Sequence, residues 1–137
     1  MTEPETKVAF ERLGGEPALR AIIDDFVDRI FDDIMIGFFF RNADRRRIKE
    51  LEYQHAAELL GGPVAYRGRP MREAHAAHPI MGGQFARRKR ILEEALIAHA
   101  VPEDIRVAWL AHTESLRAQI TGNRGDDCDP ETVRGKQ

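Results

Sequence analysis

The chain reads as an all-α protein. Apolar residues recur at spacings of three and four along most of its length. Glycine pairs and prolines punctuate those stretches, and no segment alternates with period two. At 137 residues the chain is long enough for one domain with one core. No internal repeat or low-complexity tract interrupts it.

The elements follow in order. A short helix over 8–13 precedes Gly14-Gly15. Over 16–32, Leu19, Ile22, Ile23, Phe26, Val27, Ile30 and Phe31 form one buried stripe. Gly37-Phe38-Phe39-Phe40 makes a tight aromatic corner. Asp44 can cap the next helix, which runs to about Leu60 and is stopped by Gly61-Gly62-Pro63. A loop rich in breakers follows, and it is long for a helical bundle. It suits a core wrapped around a flat ligand better than one filled by side chains alone. Pro70 opens a short helix over 71–76, and Pro79 ends it. Gly82-Gly83 leads into a long helix over 84–99, and the last helix spans 103–121. Residues 1–121 are thus expected to form the domain. The polar stretch 122–137 is expected to be a disordered tail.

Composition excludes several classes. Hydrophobic residues make up 42% and charged residues 32%, with a formal net charge of -2 and a pI near 6.2. Nothing there favours nucleic acid as a partner. No apolar run reaches the ~20 residues of a membrane span, and the start is polar and acidic rather than a secretory signal. Cys128 is the single cysteine, so no intramolecular disulfide and no cysteine metal site are expected. A cytoplasmic protein, monomer or homodimer, fits these features. The basic runs Arg45-Arg46-Arg47 and Arg87-Arg88-Lys89-Arg90 read mostly as solvated faces.

Chemistry is expected where ionisable residues fall on apolar stripes. Ile48, Leu51, Glu52, His55, Ala56 and Leu59 share one stripe. Phe85, Arg88, Leu92, Ala95, Leu96 and His99 share the next. A buried carboxylate or guanidinium is costly unless paired. Either Glu52 and Arg88 meet, or both border a polar ligand, or both lie at a partly solvated edge. His75, on the short helix near Met71, Ala74 and Ile80, is either a structural histidine or a metal ligand. His75 and His78 have a spacing zinc ligands can use, but no further histidine or cysteine pair completes a zinc set. Trp109 shares a stripe with Ile105, Thr113, Leu116 and Ile120, while His99 and His112 read as surface or edge residues.

Several segments, in order and without gaps, resemble the truncated haemoglobins. They are Glu11-Arg-Leu-Gly-Gly-Glu-Pro-Ala-Leu-Arg20, Asp25-Phe-Val-Asp-Arg-Ile-Phe-Asp-Asp33 with the Phe38-Phe39-Phe40 corner, and Leu60-Gly-Gly-Pro63. Tyr66-Arg-Gly-Arg-Pro-Met71, Ala74-His75, His78-Pro79-Ile80, Phe85, Ala95-Leu96 and Val101-Pro102 continue the series. The resemblance covers about 8–121 and is nearest to the first group of that family. It implies a two-over-two helical sandwich around haem b, with His75 as proximal iron ligand. Phe40 matches the phenylalanine that packs on the haem. Met71, Ile80 and Phe85 match haem-contacting apolar positions, and Tyr66 a residue near the propionates. Arg47 and His78 are candidate propionate partners. Trp109 matches a helix that lines the distal cavity.

The departures lie on the distal side. Val27 stands where the family usually places tyrosine, Ile48 at the first distal position, Glu52 in place of the distal glutamine, and Arg88 at a position normally apolar. Glu52 and Arg88 can pair and favour bound water, peroxide, nitrite or another anion. Alternatively His55 reaches the ligand or coordinates the iron. The implied function is a haem globin binding a diatomic gas such as oxygen or nitric oxide, with oxygen transport as the family role, or running redox chemistry on a small ligand. The competing expectations are a haem enzyme of peroxidase or nitric oxide dioxygenase type and a haem-free interaction module. No reductase domain is attached, so a redox cycle would need a separate electron donor.

Overall fold

The computed structural model describes residues 8–68 and 82–117. Within them the α-helices are α1 (Ala9–Leu13), α2 (Gly15–Phe31), α3 (Arg45–Leu59), α4 (Gly82–Ala98) and α5 (Glu103–Ser115). A short 3-10 helix, Gly37–Phe40, turns the corner between α2 and α3. No strand occurs among the described residues. The helix expected over 71–76, with His75 and Met71, lies outside the described residues, as do His78 and Ile80. Among the described residues, no helix is long and apolar enough to cross a membrane.

Helices α2 and α3 pack as one pair and α4 and α5 as another, with α2 also packed on α4. The stripe expected on α2 accounts for that central role. Leu19, Ile22, Ile23, Phe26, Val27 and Ile30 are all buried. Phe31 is half-buried, tilted against Phe40 at 5.4 Å between ring centroids and covered by the Arg45 guanidinium at 4.5 Å.

Local chemistry sets the ends of α3. Asp44 accepts a hydrogen bond from the Arg47 N–H at 3.2 Å, which caps the first turn. At the other end Gly61 adopts φ +86°, a left-handed conformation that glycine reaches without a Cβ clash. The Gly61 N–H donates to Glu58 O at 3.2 Å and the Gly62 N–H to Ala57 O at 2.8 Å. This crossed pair is a Schellman motif. A Cβ on Gly62 would come within 2.7 Å of the Phe10 ring. Glycine there lets α1 dock, and the Phe10 N–H donates to Leu60 O at 2.9 Å.

The stripe expected on α3 needs refinement. Tyr53, Ala56 and Ala57 are the buried residues of that helix. Ile48, Leu51, Glu52, His55 and Leu59 instead line a cavity, half-buried. A helix between a packed core and a cavity buries two faces, and the apolar stripe marks only the cavity face. On α4, Phe85, Ile91, Leu92, Ala95 and Leu96 are buried. His99 lies at the surface, as expected of a surface or edge residue, and its Nε2 meets Asp25 Oδ2 at 3.0 Å.

Basic residues of α3 and α4 pair across helix boundaries. Arg45 meets Asp28 at 2.9 Å, Lys49 meets Asp24 at 2.6 Å, and Lys89 meets Glu114 at 3.1 Å. Exposed pairs of this kind each contribute about 0–1 kcal/mol. Asp33 is different, because its side chain is only 7% exposed. It accepts from Arg87 Nη2 at 2.6 Å and from the backbone N–H groups of Met35 at 2.9 Å and Ile36 at 3.1 Å. The Arg87 guanidinium, helped by those two amides, holds its carboxyl below the usual carboxylate range. Asp33 thereby fixes the chain reversal that carries Phe38–Phe40 to the cavity.

Candidate functional site

A cavity of about 900 Å³ opens between the two helix pairs. That is the upper end of the roughly 300–1,000 Å³ typical of small-molecule and cofactor pockets. Its walls come from α2, the aromatic corner, α3, α4 and α5. Helix α2 supplies Ile23 and Phe26, and the corner supplies Phe38, Phe39 and Phe40. Helix α3 contributes Arg47, Ile48, Leu51, Glu52, His55, Ala56 and Leu59. Arg88 and Leu92 come from α4, and Trp109, His112 and Thr113 from α5. Leu116 follows at its end, and the loop after α3 adds Tyr66 and Gly68.

The loop is tied down by α3. The Tyr66 N–H donates to Glu58 Oε1 at 3.0 Å and the Arg67 N–H to Gln54 Oε1 at 2.8 Å. These two bonds hold the Tyr66 ring over the cavity, 5.5 Å from the His55 ring. At the mouth, Phe38 and Phe39 stack at 4.2 Å while 53% and 41% exposed. Exposed aromatic rings lining a pocket offer faces for a flat apolar ligand.

Inside this apolar wall lies one ion pair. Arg88 Nη2 donates to Glu52 Oε2 at 2.9 Å, with side chains 14% and 29% exposed. The Arg88 guanidinium also lies 5.1 Å from the centroid of the Phe26 ring. Of the two readings that keep the charges buried, the structure takes the direct pairing and leaves both groups on the cavity wall. Each partner offsets a desolvation the other could not bear alone.

Two imidazoles complete the wall. His55 Nε2 and His112 Nε2 stand 3.4 Å apart, with ring centroids 5.4 Å apart. Burial pushes the His55 imidazole below its usual range, and the nearby Glu52 carboxylate opposes that shift. His112, expected at the surface or an edge, is half-buried and borders the cavity. Trp109, His112, Thr113 and Leu116 follow a three-and-four spacing along the cavity face of α5, so periodicity carried the signal.

Phe40, Arg47, Ile48, Tyr66 and Trp109 all line the cavity with Glu52, His55 and Arg88. Phe85 does not. It is fully buried, with the Arg117 guanidinium 4.8 Å from its ring centroid. Val27 is buried but likewise off the cavity wall, whereas its neighbour Phe26 faces it. His75, Met71, His78 and Ile80 fall outside the described residues.

Two helix pairs enclosing an apolar cavity with aromatic and imidazole walls define a two-over-two globin. The family model described as bacterial-like globin matches residues 8–122, and the chain belongs to that family. The chain is similar to a group 1 truncated haemoglobin of Tetrahymena pyriformis, with 36% identity over 75 residues, 55% of this chain and 60% of the relative. It is also similar to the group 1 truncated haemoglobin of Mycolicibacterium paratuberculosis, with 33% identity over 66 residues, 48% of each chain. The aligned segments thus span about half of these relatives' lengths. Among solved structures, the Fe(III) form of Tetrahymena pyriformis truncated haemoglobin superposes with a TM-score of 0.75 at 27% identity, covering 83% of this chain and 97% of that one. The haemoglobin of Chloroflexus aurantiacus superposes with a TM-score of 0.74 at 28% identity, covering 85% of this chain and 98% of that one. Membership of a globin family implies haem.

Proposed function

We propose that this chain binds haem b in the cavity, with His75 as the proximal iron ligand, and takes a small ligand on a charged distal wall. The observation that carries this reading is the Glu52–Arg88 pair on the wall of a largely apolar cavity of about 900 Å³. The residues present fit the group. Phe40, Ile48 and Trp109 offer apolar contact, and Arg47 at the mouth offers a cation to a propionate. Haem supplies an iron centre that binds diatomic ligands and exchanges electrons. Arg88 supplies a fixed positive charge and N–H donors, and Glu52 an acceptor beside it. Titrating haem into the full chain tests the reading directly. Expected is a saturable Soret band at one haem per chain; no such band would sink the proposal.

A second reading, peroxide chemistry supported by a separate electron donor, draws on the same pair, because an acid–base group beside a cation can polarise an O–O bond. Arg88→Leu probes both. A charge-assisted hydrogen bond contributes about 1.5–3 kcal/mol. Azide binding to the ferric protein is therefore expected to weaken roughly 10- to 100-fold, since about 1.4 kcal/mol is tenfold. Azide affinity is read by visible titration. Unchanged affinity removes Arg88 from the ligand site, and peroxide turnover equal to the parent's removes it from the second reading.

A further inference from the structure

The His55–His112 contact joins α3 to α5 on the cavity wall, beside the Glu52–Arg88 pair. Its nitrogens approach to 3.4 Å, longer than the about 2.7–3.2 Å usual for an N–H donor hydrogen bond. That separation has another natural explanation. Two imidazole nitrogens, each about 2.0–2.1 Å from one tetrahedral zinc ion, stand about 3.3–3.4 Å apart. Their ring centroids would then be roughly 5.3 Å apart, against 5.4 Å observed. Two separate helices, α3 and α5, supply the rings, so their approach is a tertiary arrangement rather than the spacing of one helix. We propose that His55 and His112 together bind a divalent transition-metal ion of the zinc or copper class in the cavity wall.

The chemistry of the donors sets the class of ion. Imidazole nitrogen suits zinc, copper and nickel and is a poor ligand for magnesium or calcium. Among the described residues no third histidine, cysteine, aspartate or glutamate joins the pair. The remaining coordination positions therefore go to water or a small anion from the cavity. A structural site is closed by four protein ligands, whereas this one keeps positions open to exchange. An ion there also ties α3 to α5.

Zinc is the probe, added to the metal-stripped full chain before any haem, so the outcome is independent of haem binding. Equilibrium dialysis is expected to find one Zn²⁺ per chain and thermal melting a raised midpoint. His55→Gln and His112→Gln are each expected to weaken that binding at least ~10-fold, as loss of one of two protein ligands should exceed the 10- to 100-fold typical lower effect of an outer-shell change. His99→Gln, remote from the pair, is expected to bind as the parent does. X-ray absorption at the zinc edge of the parent protein gives a reading that no variant's folding can confuse. Two imidazoles on the zinc of the parent, together with weakened binding in both glutamine variants, support the site. Absence of binding, fewer than two imidazoles, or unchanged affinity in both glutamine variants overturns it.

Discussion

Replacing His75 by alanine is expected to abolish stable haem retention. A globin holds its iron to the protein through one proximal imidazole, and the rest of the hold is apolar contact and propionate pairing. Changing an outer-shell partner of a metal ligand already costs about 10- to 100-fold in affinity; loss of the ligand itself is expected to exceed that. The readout is the rate at which haem transfers from the reconstituted protein to an excess of an acceptor apoprotein. Added imidazole should restore part of the parent spectrum, which separates a missing ligand from a damaged fold. His78→Ala, at a residue the family resemblance suggests only as a propionate partner, is expected to change the rate far less. A parent-like spectrum and transfer rate in His75→Ala would defeat the proximal assignment. His55→Ala sharpens the comparison. In the structure its Nε2 is engaged by His112 Nε2 at 3.4 Å on the cavity wall, so the iron is not expected to depend on it. If His55→Ala and not His75→Ala abolished binding, the two sides of the haem would be exchanged.

Much of this site was legible because misfits are informative. Glu52 and Arg88 interrupt apolar stripes on two different helices, and burial cost alone required them to be paired, to border a ligand or to lie at an edge. The paired state cannot be read from either stripe separately, because it depends on how α3 and α4 face one another. The helix ends were equally readable where local chemistry decides them, at Asp44 and at Gly61-Gly62. His112 was not singled out, because a histidine beside Ala111 and Glu114 looks like the edge of an amphipathic helix. Only the cavity on its inner side gives that edge a purpose. Tyr53 was missed for a related reason. It lies outside the main stripe of α3, yet it is 3% exposed against the α2 side, with the Arg20 guanidinium 3.9 Å from its ring centroid. Periodicity reports one face per helix, and α3 buries two. Phe26 and Val27 are a finer case, since both are buried at adjacent positions of one stripe. Which of them meets the cavity depends on a rotation of α2 that sequence spacing does not resolve.

Phe26→Ala is expected to cause the largest loss of stability among single changes at the cavity. The ring is 1% exposed and belongs both to the packed core and to the cavity wall. Truncating a buried phenylalanine costs about 3–5 kcal/mol through lost transfer energy and the void left behind. Against a typical total of about 5–15 kcal/mol, that brings the haem-free protein close to unfolding. Chemical denaturation measures the loss, and Phe26→Leu, which keeps most of the volume, is expected to lose roughly half as much. Beyond packing, the ring supports Arg88, whose guanidinium lies 5.1 Å from its centroid. Cation–π contacts of partly desolvated pairs contribute about 0.5–2 kcal/mol. A double-mutant cycle joining Phe26→Leu with Arg88→Leu should therefore give a coupling of about 0.5–1 kcal/mol. Azide affinity of the haem-loaded Phe26→Leu protein should fall as well, because a guanidinium without its aromatic support is held less firmly beside Glu52. Stability lost with no coupling to Arg88 and no change in azide affinity would make Phe26 a core residue only. Arg88 would then owe its place on the cavity wall to Glu52 alone.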